Sequence, residues 1–149
     1  MGIEIKQTTI DLGKPKNKKL KKFVTQWEKS GRISGTSKNG VQHIKLVGNM
    51  HRDLDPEVRD KLVATLKEKS NGAALLSFDL SHARFDSWGD EKFIDLLYTV
   101  LDAGKKVAII VDPMRDFLFS AECESLLEAG KKIFHTTDPK LATKWLKAS

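Results

Sequence analysis

The sequence predicts a mixed α/β fold: a mostly parallel sheet, opened by an antiparallel β-hairpin and continued through crossover helices. Three observations predict it. Asn39-Gly40 stands between two strand-like runs, Arg32 to Lys38 and Val41 to Val47, which is the strongest short-range hairpin signal and predicts a type I′ turn with Gly40 at positive φ. Apolar runs of strand length follow at Ala74–Leu80, Lys106–Val111 and Lys131–His135. Between and after them lie segments whose apolar residues recur at helical spacing, and strands alternating with helices specify parallel strands joined by right-handed crossovers. Ala74–Leu80 and Lys106–Val111 are therefore expected to be adjacent, parallel and buried.

In chain order, Ile3 and Ile5 alternate with polar residues and permit a short strand before the breakers Gly13 and Pro15. From Asn17, Leu20, Phe23, Val24 and Trp27 fall at i, i+3, i+4 and i+7 among lysines 18, 19, 21, 22 and 29, with Gly31 as a stop. Residues 1–31 thus read as a basic N-terminal extension with an amphipathic helix, and 32–149 as the α/β domain. After the hairpin, Asp55-Pro56-Glu57 starts a helix with a cap, proline at the first position and an acid in the first turn, and Val58, Leu62, Val63 and Leu66 form its apolar face. Further helices are predicted at Trp88–Ala103, Arg115–Ala129 and Pro139–Ala148; Gly104 and Gly130 stop the first two, and Asp138-Pro139 starts the last.

Composition narrows the function classes. The 149 residues suit one domain with a sizeable core. A single cysteine, Cys123, excludes an internal disulfide or a thiolate metal cage within one chain. The N-terminus lacks a signal-peptide core and no apolar run is long enough to span a bilayer, so a cytoplasmic location is expected. The net charge of +6 is uneven: residues 1–31 hold eight Lys/Arg against three acidic residues, and the remaining 118 hold eighteen against seventeen. Only the tail would neutralise phosphates, a weaker nucleic-acid footprint than a basic face on the fold, so nucleic acid is not the expected partner. The stripe Leu20, Phe23, Val24 and Trp27 suits either packing on the parent domain or an anionic membrane surface.

Enzyme signatures fail on context. Lys38 precedes a hairpin turn, whereas a phosphate loop leads from strand to helix. Ser81, His82 and Asp86 have the residue types of a triad, but His82 follows Ser81 directly and no Gly-x-Ser-x-Gly exists. Asp112 lacks the acidic pair of a receiver domain, and Asp112-Pro113 reads as a turn. His43, His51, His82 and His135 show no metal-ligand spacing, and no cofactor is indicated.

Leu75 to Gly89 is where function is expected, because ligands and partners of open α/β sheets gather beyond the carboxyl ends of the strands. The run ends in Phe78-Asp79-Leu80-Ser81, passes a short loop, and reaches Phe85-Asp86-Ser87-Trp88-Gly89. Ser87 reads as the N-cap of the next helix with Asp90 at N3, exposed and on one surface with Asp79 and Ser81. These two motifs and the element order, supported by Leu46-Val47-Gly48 and Lys132-Ile133-Phe134, resemble the STAS domain, named for sulfate transporters and anti-sigma-factor antagonists; the resemblance covers about residues 32 to 149. It implies a non-enzymatic regulatory binding module. Its partner would be a kinase-like anti-sigma factor or related regulator, bound through Asp79, Ser81, Asp86, Trp88, Gly89 and Asp90. The phosphoacceptor serine falls on Ser87, and the phosphorylated form would release the partner. Trp88 and Asp90 depart from the family pattern, which has a small and an apolar residue there. The alternative class is a lipid- or membrane-surface module using the N-terminal stripe.

Overall fold

A computed structural model describes residues 31–148, side chains 115–119 excepted. The readings of residues 1–30, including the stripe Leu20, Phe23, Val24 and Trp27, lie outside the described residues. Among the described residues nine elements follow in order: β1 (Arg32–Lys38), β2 (Val41–Met50), α1 (Pro56–Ser70), β3 (Leu75–Phe85), α2 (Ser87–Asp102), β4 (Lys106–Ile110), α3 (Pro113–Glu128), β5 (Ile133–Thr136) and α4 (Pro139–Lys147). Asn39 at φ 53° and Gly40 at φ 81° make the turn in which β1 meets β2 antiparallel. The other pairings are parallel, and the strands lie in the order β1-β2-β3-β4-β5.

That order decides the layers. Each parallel step moves the chain one strand in the same direction, so right-handed crossovers must all pass over the same face. α1, α2 and α3 accordingly bury Ile44, Leu46, Leu76, Phe78, Leu80, Val107 and Ile109 on the crossover face, with Leu62, Phe93, Leu97, Cys123 and Leu126 from the helices. Phe93 is the hub, edge-on to Phe78 at 5.3 Å and stacked with Phe85 at 5.9 Å. Among the described residues, α4 is the helix packed on the opposite face, where Ala142 and Leu146 meet Val41, Ala108 and Ile110. Lys106 fastens it: its ammonium donates to the carbonyls of Trp145 at 2.6 Å and Ala148 at 2.8 Å and stands 4.5 Å from the Trp145 ring centre. Both carbonyls belong to the C-terminal end of α4, where a cation is favoured.

Ala74–Leu80 and Lys106–Val111 are adjacent and parallel as expected, and buried from Leu76 to Phe78, at Leu80 and from Val107 to Val111. Two readings need correction. β3 does not end at Leu80 in a loop but runs to Phe85, because the ten-residue β2 continues to pair with it as far as Met50 opposite Phe85. A bulge lies on the way: Lys45 faces Asp79, but Val47 faces His82. Pro113 opens α3, so Asp112-Pro113 is a helix start.

Candidate functional site

The junction between β3 and α2 is built by Asp86. Its backbone is extended and its Oδ1 accepts the Gly89 N–H at 2.9 Å, so Asp86 is the N-cap of α2. Ser87 is the first residue of the helix. The expected cap of Ser87 with Asp90 at N3 is therefore corrected: the carboxylate one residue earlier already satisfies the donor that the serine would have taken. Asp86 Oδ2 also accepts the Arg52 N–H at 2.8 Å, tying the segment after β2 to the start of α2. Burial pushes the Asp86 carboxyl up, but the hydrogen bonds from Arg52 and Gly89, together with the charge of His51, outweigh it and hold the group below its ordinary value.

Gly89 follows from the same approach. A Cβ placed there would lie 2.2 Å from the Met50 carbonyl oxygen and 3.1 Å from the Phe85 ring, so only glycine lets the helix start press onto the end of β2. Gly89 is buried and presents no side chain to a partner. Ser87 is exposed, and its hydroxyl makes no hydrogen bond among the described residues. Trp88 is half-buried: one side packs on the core and the Arg59 guanidinium stands 5.6 Å from its ring centre. Asp90 is half-buried with an interaction of its own.

Trp88 also opens a groove that the sequence reading missed. Arg59, Val63 and Lys67 on α1 face Trp88 and Lys92 on α2, and the depression continues past Leu96. The signal lay in the spacing: Arg59, Val63, Lys67 and Trp88, Lys92, Leu96 are two i, i+4, i+8 rows, each a single ridge on its helix. The groove has an apolar floor, and its rim carries Arg59, Lys67 and Lys92 together with the acidic Asp60 and Asp95.

Asp79 and Ser81 do not join this surface. Asp79 projects with Ser77 from the α4 face of the sheet, and the strand runs roughly 20 Å further to Phe85 at about 3.3 Å per residue. Asp79 Oδ1 accepts from the Ser81 N–H at 3.0 Å and the Ser81 hydroxyl at 2.6 Å, satisfying the residue that the bulge removes from the ladder. The expected single surface for Asp79, Ser81 and Ser87 is thus two places. His82 is exposed, and among the described residues no group of three His, Cys, Asp or Glu side chains is placed to hold a metal ion. Nor is any described helix long and apolar enough to cross a membrane.

No family model and no curated protein sequence matches the chain. Among solved structures it is similar to an anti-sigma factor antagonist from Mycobacterium paratuberculosis, with a TM-score of 0.56, 13% identity, and coverage of 80% of this chain and 97% of that one. At that identity the likeness is one of architecture, and its order of strands and helices is the one the STAS resemblance implied: this chain has the fold of an anti-sigma factor antagonist.

Proposed function

We propose that the chain is a regulatory protein-binding module whose partner, a kinase-like anti-sigma factor or a related regulator, docks on the start of α2. The contact takes in Ser87, Trp88, Asp90 and the adjoining α1–α2 groove, and phosphorylation of Ser87 breaks it. The observation that carries this reading is the division of labour between Asp86 and Ser87. Because Asp86 caps the helix, the Ser87 hydroxyl is exposed and uncommitted, and modifying it costs the fold no hydrogen bond.

The switch acts on the interface. A phosphate adds about −1.5 to −2 charges at neutral pH. Placed on the first residue of a helix, it is favoured by the helix dipole, so the fold tolerates it. At a contact rim it stands beside Asp86 and Asp90, where it repels acidic groups of a partner and competes for the cations Arg59 and Lys92.

The test is recovery of partners from the native host with wild type, Ser87→Ala, Ser87→Asp and Trp88→Ala, read by mass spectrometry. Wild type and Ser87→Ala recover the same regulator, Ser87→Asp recovers several-fold less, and Trp88→Ala loses it. Equal recovery by all four would sink the assignment of this surface.

A further inference from the structure

The α4 face of the sheet carries a second feature. Its register places side chains in two rows across the strands. Thr36, His43, Ser77 and Ala108 stand side by side on β1 to β4, and Ser34, Lys45, Asp79 and Ile110 form the next row. α4 covers the Ala108 and Ile110 ends. Toward β1 the described residues leave a concavity of about 420 Å³, walled by Pro139 and Thr143 of α4. That is the size of a small-molecule pocket, typically about 300–1,000 Å³, and hydroxyls, an imidazole and charges share its lining with Ile110 and Pro139.

Its polar groups are left open. Ser77 is 2% exposed, yet its hydroxyl has no hydrogen bond among the described residues, where buried polar groups are nearly always paired. Lys45 and Asp79 are register neighbours, yet no ion pair joins them, and the Lys45 ammonium has no partner among the described residues. Asp79 uses Oδ1 on Ser81 and keeps Oδ2. Burial holds the His43 imidazole below its ordinary pKa, and the positive charges of Lys147 and Lys38 add to this, favouring the neutral ring. A basic segment such as residues 1–31 is a poor match for those charges; an anion suits them.

We propose that this concavity binds a small hydroxyl-bearing phosphate monoester, its oxyanion held by Lys45 and the Ser34, Thr36 and Ser77 hydroxyls, and one of its own hydroxyls donating to Asp79 Oδ2. Such a ligand meets the cation, the orphan donors and the free carboxylate oxygen together. The site is independent of the Ser87 surface, on the other side of the sheet from the α1–α2 groove.

The experiment is an NMR titration of the full chain with glycerol 3-phosphate, inorganic phosphate and glycerol. Glycerol 3-phosphate saturably shifts the resonances of Thr36, His43, Ser77 and Asp79; phosphate does so more weakly, and glycerol does not. Lys45 is exposed, so Lys45→Met folds normally and weakens both phosphates at least tenfold; Asp79→Asn weakens glycerol 3-phosphate and spares inorganic phosphate. Shifts confined to lysines of residues 1–31, non-saturating shifts, or affinity unchanged in Lys45→Met would overturn the proposal. So would contacts in the free protein between Ser77 and residues 1–31 or a second copy, because the site would then already be filled.

Discussion

The two faces of the one sheet are built to opposite rules. On the crossover face, Leu76, Phe78 and Leu80 are fully buried beneath α1, α2 and α3. On the other, the alternating positions of the same strand are Ser77 and Asp79. The difference originates in topology: a strand order that never reverses sends every crossover to one side, and a single nine-residue helix is what the described chain sets against the other. The crossover face holds the larger apolar cluster, while Val41, Ala108 and Ile110 pack with α4 on the other. The other can carry polar groups at little cost, because few of its side chains must be apolar.

Substitutions should divide along that line. The largest effect is expected from Phe93→Ala, which removes the ring between Phe78 and Phe85 and should cost about 3–5 kcal/mol in urea unfolding. Gly89→Ala should follow at about 3 kcal/mol or more, since the added carbon meets backbone oxygen rather than a side chain that can turn away. Asp86→Ala should cost about 1–2 kcal/mol, as it leaves two backbone donors without their acceptor. Asp86 also makes part of the stability pH-dependent. Its carboxyl is held below the ordinary value in the folded state, so its contribution is complete above the unfolded value and is lost as pH falls through the folded one. The stability gap between wild type and Asp86→Asn, followed by unfolding from pH 7 to pH 2.5, should therefore shrink below about pH 4. The smallest effect belongs to the open face: Ser77→Ala, although almost completely buried, should change stability by less than about 0.5 kcal/mol or raise it, because no hydrogen bond is lost. A cost above about 1.5 kcal/mol there would mean that the hydroxyl is already paired and that the two faces are not distinct in this way.

Much of the crossover face was legible in the sequence, because apolar periodicity is a direct record of burial: Val58, Leu62 and Leu66, or the run from Leu75 to Leu80, announce what they pack against. The turn at Asn39-Gly40 was equally plain, since only a few residue types accept positive φ at both positions. The site was legible in composition and not in geometry. Asp86 and Ser87 are both good caps, and the choice between them was made by the Met50 carbonyl and the Arg52 N–H, which arrive from more than thirty residues away. The extension of β3 to Phe85 was hidden for a similar reason: Ser81 and His82 do not look like strand residues, and it is pairing with the long β2 that holds them extended. The two rows of the open face depend on register, which adjacent strands set together and no single segment records.

The protein partner is expected to meet the start of α2 and not the open face. A photo-crosslinking residue introduced in the native host in place of Ser87, or separately in place of Lys45, both exposed, tests this most directly. The probe at position 87 should capture a regulator protein and the probe at position 45 should not. Equal capture from both positions, or capture from position 45 alone, would contradict that expectation.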